Sequence, residues 1–285
     1  MLPNHLHEEV GVAALRAGKH VLLEMPMAPS VGACDRLIAA ARNAGRVLTI
    51  GHEFRLSTQW GRIKALIDEG AIGRPRYAMV SLARFPYRPG SGGWRRDPAR
   101  VGSWILEEPV HFFDSLMWYF ASLGDPDRLS AVANRSDGAA GSGMSDNLST
   151  VLHWPCGAYA VVNQTLAAFE HHHVMEIVGS EGAIRAWWSG AQDRTREASY
   201  ELKMKRAGSD SVEVVPLAAS GELFELDEEL RLAVAAFRSG RPIVSGGEAR
   251  KCVLVCLGVE RALAGNGEVT LDFASTEREI KQPAD

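Results

Sequence analysis

Residues 1–55 alternate helix, strand, helix, strand, with connections so short that the two strands can only run parallel. A helical pattern over residues 5–17 stops at Gly18, a residue suited to a left-handed C-cap. Lys19–Leu23 is a short apolar run that reads as a buried strand, with Glu24-Met25-Pro26 at its exit. Ser30 is an N-cap residue for a second helix over Val31–Ala44, where Leu37, Ile38 and Ala41 recur at helical spacing, and Gly45 ends it. Val47–Ile50 is a second apolar strand that leads into Gly51-His52-Glu53-Phe54-Arg55. This order predicts an α/β unit with a parallel sheet. In such sheets ligands gather beyond the carboxyl ends of the strands, where Glu24 and His52 stand. Only two strands occur here, although parallel sheets usually have more and are covered on both faces. No glycine-rich phosphate turn lies between a first strand and its helix.

The texture then changes. A helix over 59–69 and the turn Gly70–Arg74 lead into a strand over Pro75–Leu82. A Pro-, Gly- and Arg-rich loop over Arg84–Pro98 carries Trp94-Arg95-Arg96-Asp97. After Gly124 the chain reads as short alternating strands: Leu129–Asn134, Asn147–Trp154, Gly157–Thr165, His172–Gly179 and Ala183–Trp188, with two more within 195–217. They predict a large, mostly antiparallel sheet. Phe224–Gly240 reads as a helix with Leu226, Leu230, Val234 and Phe237 on its apolar stripe, and Glu248–Ala264 as a last amphipathic helix. Val269–Phe273 is expected to close the sheet, and the tail from Ala274 to be loose. At 285 residues the chain suits two ordinary domains or one large one, and the division falls at 1–55 and 56–285.

One stretch of the second part carries chemistry. In Val101–Asp114, VGSWILEEPVHFFD, the residues Glu107, His111 and Asp114 are spaced i, i+4 and i+7 and would share one helix face. Leu106, Val110, Phe113 and Met117 form an apolar stripe beside them. A histidine within reach of a carboxylate is the usual apparatus for moving a proton near neutral pH. Pro109 either starts the helix, placing His111 near its positive end and favouring the neutral base, or kinks a helix begun near Ser103. Taken alone, the stretch also describes a partly buried helix with a hydrogen-bonded histidine. Arg95 and Arg96 could grip a phosphate or carboxylate, or lie on a solvated loop. His171 and His173 would share a strand face, and the reading there is surface or interface histidines, with no metal.

The totals exclude several classes. A formal net charge of −4 leaves no electrostatic footprint for nucleic acid or an anionic membrane. No apolar run approaches the roughly 18 residues of a membrane span. The opening MLPNHLHEEV lacks a basic start and an apolar stretch, so no signal peptide is expected. Four scattered cysteines suit reduced thiols in a cytoplasm.

Together these pieces resemble the glucose–fructose oxidoreductase, inositol dehydrogenase and rhizopine-catabolism (Gfo/Idh/MocA) family over nearly the whole chain. Pro3-Asn4 with His5-Leu6-His7 resembles its TPN…H turn after the fourth strand, where the nicotinamide end of the dinucleotide lies. Gly18–Pro26 is similar to GKHVxxEKP, Gly51–Arg55 to GHxxR, and Gly70-Ala71-Ile72-Gly73 to GxIG. Val101–Asp114 is similar to GGGxLxDxGxHxxD. Gly179-Ser180-Glu181-Gly182 and the segment from Gly240 to Arg250 match the C-terminal pattern. The resemblance implies a partial Rossmann domain followed by an α+β domain with a large open sheet, and association of like chains through that sheet. It implies an NAD(P)-dependent oxidoreductase acting on a sugar, cyclitol or related polyol. His111 would be the acid/base, helped by Glu107. Glu107, Asp114, Arg95 and Trp94 would bind substrate, and Asn4, His5, Glu24, Met25, Pro26 and His52 would face the NAD or NADP.

Three departures accompany the resemblance. The family's first strands and G-x-G-x-x-G turn, which hold the pyrophosphate, are not in this sequence, so an N-terminally truncated member that binds NAD(P) weakly or not at all is expected. The loop lysine is Met25, whose thioether neither donates a hydrogen bond nor carries charge. Glu107 stands where the family has Asp, and Pro109 where it has Gly. These departures keep open a non-catalytic relative that senses a ligand or binds a partner, or an inactive fragment.

Overall fold

In the computed structural model, residues 2–85, 87–134, 145–265 and 267–273 are described; the tail expected to be loose lies outside them. A 3-10 turn at Asn4–Leu6 leads into α1 (His7–Arg16), β1 (Val21–Glu24), α2 (Val31–Ala44) and β2 (Leu48–Gly51). The two strands pair in parallel, from Val21 against Leu48 to Glu24 against Gly51, and form a two-stranded sheet among the described residues. The ends of α2 follow the sequence chemistry. Ser30 Oγ accepts from the Ala33 N–H at 3.2 Å, and Gly45 takes the left-handed cap with φ +60°.

A 3-10 turn at Glu53–Leu56 precedes α3 (Trp60–Asp68) and β3 (Pro75–Arg84). Three short helices follow: α4 (Pro98–Val101), α5 (Trp104–Glu107) and α6 (Val110–Tyr119). Then come β4 (Arg128–Asn134), β5 (Asn147–His153), β6 (Tyr159–Thr165), β7 (His171–Gly179), β8 (Gly182–Gly190), β9 (Ser199–Arg206) and β10 (Glu213–Val214). The described residues end with α7 (Glu222–Ser239), α8 (Gly246–Gly265) and β11 (Glu268–Thr270). Among the described residues β3 to β11 form one nine-stranded sheet in the order β10-β9-β8-β7-β3-β6-β5-β4-β11, with β3 and β6 its one parallel pair. Alternation along each strand turns one face to the core. Ala78, Val80 and Leu82 on β3 face inward beside Met175 and Ile177 on β7.

The helix α8 ties the two sheets, packing against α2 and β2 on one side and β4 and β11 on the other. The segment before it hydrogen-bonds to β2, with Ile50 N–H donating to Val244 O at 3.1 Å. On α7 the expected stripe holds only at its ends, where Leu226 lines a cavity and Phe237 stacks on His20, and not in its middle. Leu230 and Val234, read as core stripe, are 62% and 47% exposed, whereas Glu225, Glu229, Ala233 and Ala236 are buried. Periodicity defines a stripe but not which face is covered. Here the small Ala233 and Ala236 belong to the face turned inward, and Glu225 finds hydrogen bonds at the helix start from Gly221 N–H at 3.3 Å and Ser220 Oγ at 3.4 Å.

Candidate active site

Several strand ends and one helix corner open onto a single cavity of about 550 Å³, a size typical of small-molecule sites. β1 delivers Glu24 and Met25, the turn after β2 delivers Glu53 and Phe54, and β3 delivers Arg84 at its last residue. In register with Arg84, β7 begins at His171. His171 and His173 continue the inward-facing series of Met175 and Ile177. They are therefore buried against the cavity, not on the surface or at an interface as read from sequence.

The stretch Val101–Asp114 is not one helix. Ser103 Oγ caps α5, which ends at Glu107, and Pro109 is the N-cap of α6 in helical geometry. Glu107 and His111 thus leave different helices and converge on the cavity across a corner, while His111 sits in the first turn of α6. Pro109 loses nothing there, because the first N–H groups of a helix have no partner within it.

Glu107 is buried. Its Oε1 accepts from Arg95 Nε and its Oε2 from Asn4 Nδ2 at 3.3 Å. Asn4 also donates to Val101 O at 3.0 Å, which pins the start of α1 to α4. The Arg95 guanidinium lies 4.9 Å from the Trp94 ring centre, stacking the loop onto itself. Burial raises the Glu107 carboxyl above its ordinary range, against the pull of Arg95.

Arg84 is the hub of the opposite wall. It donates to Glu108 Oε1 at 3.1 Å and Asp193 Oδ2 at 2.8 Å, and its Nη1 lies 3.2 Å from His171 Nδ1. The His171 and His173 rings meet through their Nε2 atoms at 2.8 Å. Burial, then the Arg84 charge, holds His171 neutral; burial and His171 do the same for His173. Glu108 is pushed up to about 7 by burial, which outweighs Arg84. The His111 ring stacks on Phe54, with centres 4.9 Å apart. Burial, reinforced by the neighbouring His52 and Arg84, drives its pKa down to about 3, so it is a neutral base.

Of the residues singled out from sequence, Glu24, Met25, Asn4, Trp94, Arg95, Glu107 and His111 come together at this cavity. His5, Pro26, His52 and Asp114 are not among its lining residues. Both oxygens of Asp114 are engaged by Arg55, and His52 Nδ1 lies 3.6 Å from Asp114 Oδ2 in the buried layer behind. His5 is exposed, with its Nδ1 3.2 Å from Arg100 O. Pro26 is buried, and its carbonyl oxygen lies 2.8 Å from His7 Nδ1.

Residues 1–52 match the family described as an oxidoreductase family with an NAD-binding Rossmann fold, and residues 60–185 match the GFO/IDH/MocA C-terminal domain. The chain is 30% identical over 267 residues to 1,5-anhydro-D-fructose reductase from Ensifer adhaerens, covering 92% of this chain and 75% of that protein. The chain belongs to the GFO/IDH/MocA oxidoreductase family. Its similarity to the myo-inositol 2-dehydrogenase of Thermotoga maritima is 24% identity, over 93% of this chain and 77% of that one. Among solved structures, the aldose–aldose oxidoreductase of Caulobacter crescentus superimposes with a TM-score of 0.79 at 24% identity, over 95% of this chain and 78% of that one. A levoglucosan dehydrogenase in complex with NADH and L-sorbose gives 0.79 at 21%, over 95% and 78%. These likenesses support the α/β fold with a Rossmann-like start and a large, mostly antiparallel sheet.

In this GFO/IDH/MocA chain several charged cavity residues carry no role in the sequence reading, among them Glu53, Arg84, Glu108, Asp193, Glu222 and Glu225. Arg84 could have been found by extending the third strand two residues beyond Leu82. Glu53 lies within the quoted Gly51–Arg55 segment, but its side-chain direction depends on the 3-10 turn after β2. Among the described residues no group of three or more His, Cys, Asp or Glu side chains is placed to hold a metal, and no helix is long and apolar enough to cross a membrane.

Proposed function

We propose that this chain moves a hydride between a nicotinamide dinucleotide and a hydroxyl-bearing carbon of a sugar, cyclitol or related polyol. In this reading His111 takes or returns the hydroxyl proton, and Glu107 with Arg95 and Trp94 forms the substrate wall. The observation that carries it is the convergence of His111 and Glu107 on one cavity that also takes in the carboxyl end of β1. A neutral histidine with an open ring nitrogen can accept a hydroxyl proton, and an adjoining carboxylate held by Arg95 can accept hydrogen bonds from substrate hydroxyls.

A dinucleotide, when bound, supplies the hydride acceptor or donor. Leu2, Pro3 and Asn4, with Glu24 and Met25, are the residues that would hold its nicotinamide end. They close the cavity where dinucleotides bind in open α/β sheets, beyond the strand carboxyl ends. Met25 offers neither charge nor hydrogen bond, which leaves proton handling to the remaining side chains. Association of like chains through the outer face of the large sheet is part of the same reading. Met79 and Val161 are register neighbours there, and Tyr159 and Val178 are exposed.

The test is a panel of sugars and cyclitols offered with NAD and with NADP, followed by nicotinamide absorbance, for the wild type and His111→Ala. Turnover of at least one polyol that is lost in His111→Ala is the expected result. Tight binding of dinucleotide and polyol by calorimetry without turnover would instead mark a non-catalytic, ligand-sensing relative.

A further inference from the structure

Glu53 is almost fully buried at the cavity, in the turn just after β2. Among the described residues its carboxylate makes no side-chain hydrogen bond. The nearest basic atom is His111 Nδ1, 3.6 Å from Glu53 Oε1. That nitrogen is itself enclosed and lacks a hydrogen-bond partner. Phe54, stacked on the imidazole, fixes the plane of the ring. The other nitrogen, Nε2, is not enclosed, and His111 lines the cavity. An enclosed imidazole nitrogen without a partner therefore faces a carboxylate that makes no side-chain hydrogen bond, and the histidine's free end is turned to where a substrate would lie. A gap of this length tightens to a hydrogen bond with modest side-chain motion, as unliganded sites commonly require.

We propose that Glu53 is the proton-accepting partner of His111, so that the imidazole passes a proton through and never stores one as a cation. The proposal rests on the oxidoreductase reading above. In the oxidation direction the substrate O–H breaks as Nε2–H forms, and Nδ1–H breaks as Glu53 Oε1–H forms. A bound oxidised nicotinamide would supply the acceptor for the hydride that carries the C–H electron pair, leaving the substrate carbon a carbonyl. The histidine ends as the opposite neutral tautomer, and the proton ends on Glu53. Reduction runs the same transfers backwards.

The electrostatics favour this route. Around His111 stand His52 at the exit of β2, Arg84 from β3, Arg95 from the loop, His171 and His173 from β7, and Asp114 on its own helix. Burial with the cationic groups makes an imidazolium costly. Around Glu53 stand Glu24 from β1 and Glu222 and Glu225 from α7, besides His111. Burial, then these three carboxylates, raises its pKa well above the ordinary carboxyl range. A proton in this corner therefore costs less on Glu53 than on His111. Glu24, itself raised by burial, lines the same cavity wall beside Glu53.

The test reads the tautomer directly by nitrogen-15 NMR of the full chain, with the carboxyl carbons followed in parallel, for the wild type, Glu53→Gln and Glu53→Ala. In the wild type His111 should stay neutral throughout the Glu53 titration, exchanging the Nδ1–H for the Nε2–H tautomer as Glu53 gains its proton. That exchange should vanish in both variants. In turnover, Glu53→Gln should lower kcat about a hundredfold, leave KM nearly unchanged and remove one ionisation from the kcat pH profile. A wild-type His111 that charges to imidazolium within that titration, or a tautomer exchange that survives in Glu53→Gln, would overturn the proposal. So would a Glu53→Gln enzyme with unchanged kcat and pH profile. The NMR arm needs no substrate, so it decides the proposal even if no polyol is oxidised.

Discussion

Arg55 grips Asp114 with both teeth of its guanidinium, Nε to Oδ2 and Nη2 to Oδ1, each at 2.8 Å. Burial alone would raise the Asp114 carboxyl, but the charges of His52 and Arg55 and these two bonds hold it below its ordinary value. Arg55 Nη1 goes on to Glu248 at 2.6 Å, so the pair also anchors the start of α8. Asp114 is thus spent on structure, one layer behind the cavity.

Asp114→Asn should therefore act on stability and not on substrate affinity. Removing one partner of a buried pair leaves an uncompensated charge and typically costs about 3 kcal/mol. Here Glu248 retains part of the Arg55 charge, so the loss should lie at or just below that figure. Denaturant unfolding should show it, while KM for an accepted polyol stays within about twofold. A large rise in KM with unchanged stability would return Asp114 to the substrate wall.

Glu107 should behave in the opposite way. It shares the cavity wall with Arg95 and Asn4. Glu107→Ala should lower kcat/KM about a hundredfold, roughly 2.7 kcal/mol of transition-state binding, with a smaller change in Tm than Asp114→Asn. Asn4→Ala should give a weaker version of the same kinetic loss by freeing the carboxylate to turn. Steady-state kinetics beside thermal melts separates the two effects.

Local signals were readable where the chain's own neighbours decide the structure. Ser30 and Gly45 bracket α2, and the two apolar runs before Glu24 and His52 became β1 and β2 in parallel register. The alternating strands after Gly124 could be seen as a mostly antiparallel sheet because each hairpin is local. Non-local pairing could not be read. The β3 strand lies between β6 and β7, and only that register sets Arg84 opposite His171 and turns His171 and His173 inward. Likewise Leu230 and Val234 on α7 looked like a core stripe, yet β2 and its exit take the face bearing Glu225 and Glu229. The i, i+4, i+7 spacing of Glu107, His111 and Asp114 found a real neighbourhood but the wrong geometry, since Pro109 separates two helices.

The buried acidic face of α7 should make stability fall as pH rises. Burial, then Glu24, raises Glu229 from 4.5 to about 8, and burial raises Glu225 to about 7. For a carboxyl whose folded pKa is raised, the native state holds more protons than the unfolded chain between the two values. Its contribution is complete below the ordinary value of 4.5 and is lost by about pH 8. Glu229→Gln should flatten the upper part of this slope and stabilise the protein at pH 8 by on the order of 1–2 kcal/mol. Equal stabilisation at pH 5 would show that ionisation is not the cause.

Met25→Lys should report the charge of the cavity. Met25 shares the cavity lining with Glu24, Glu53 and Glu225, three carboxyls whose pKa values burial raises. Placing a lysine at a partly buried methionine ordinarily destabilises, because the ammonium must leave water. Here the carboxyls supply the counter-charge, so the variant should lose little stability at pH 5 and gain relative to wild type as the pH approaches 8. Its positive charge should also pull the Glu53 titration toward acid, and with it the acidic limb of any kcat pH profile. Melting curves at the two pH values and the carboxyl-carbon titration of Glu53 check both expectations. If Met25→Lys is destabilised to the same extent at every pH, the carboxyls do not sense that position, and Glu53 must be neutralised by another group.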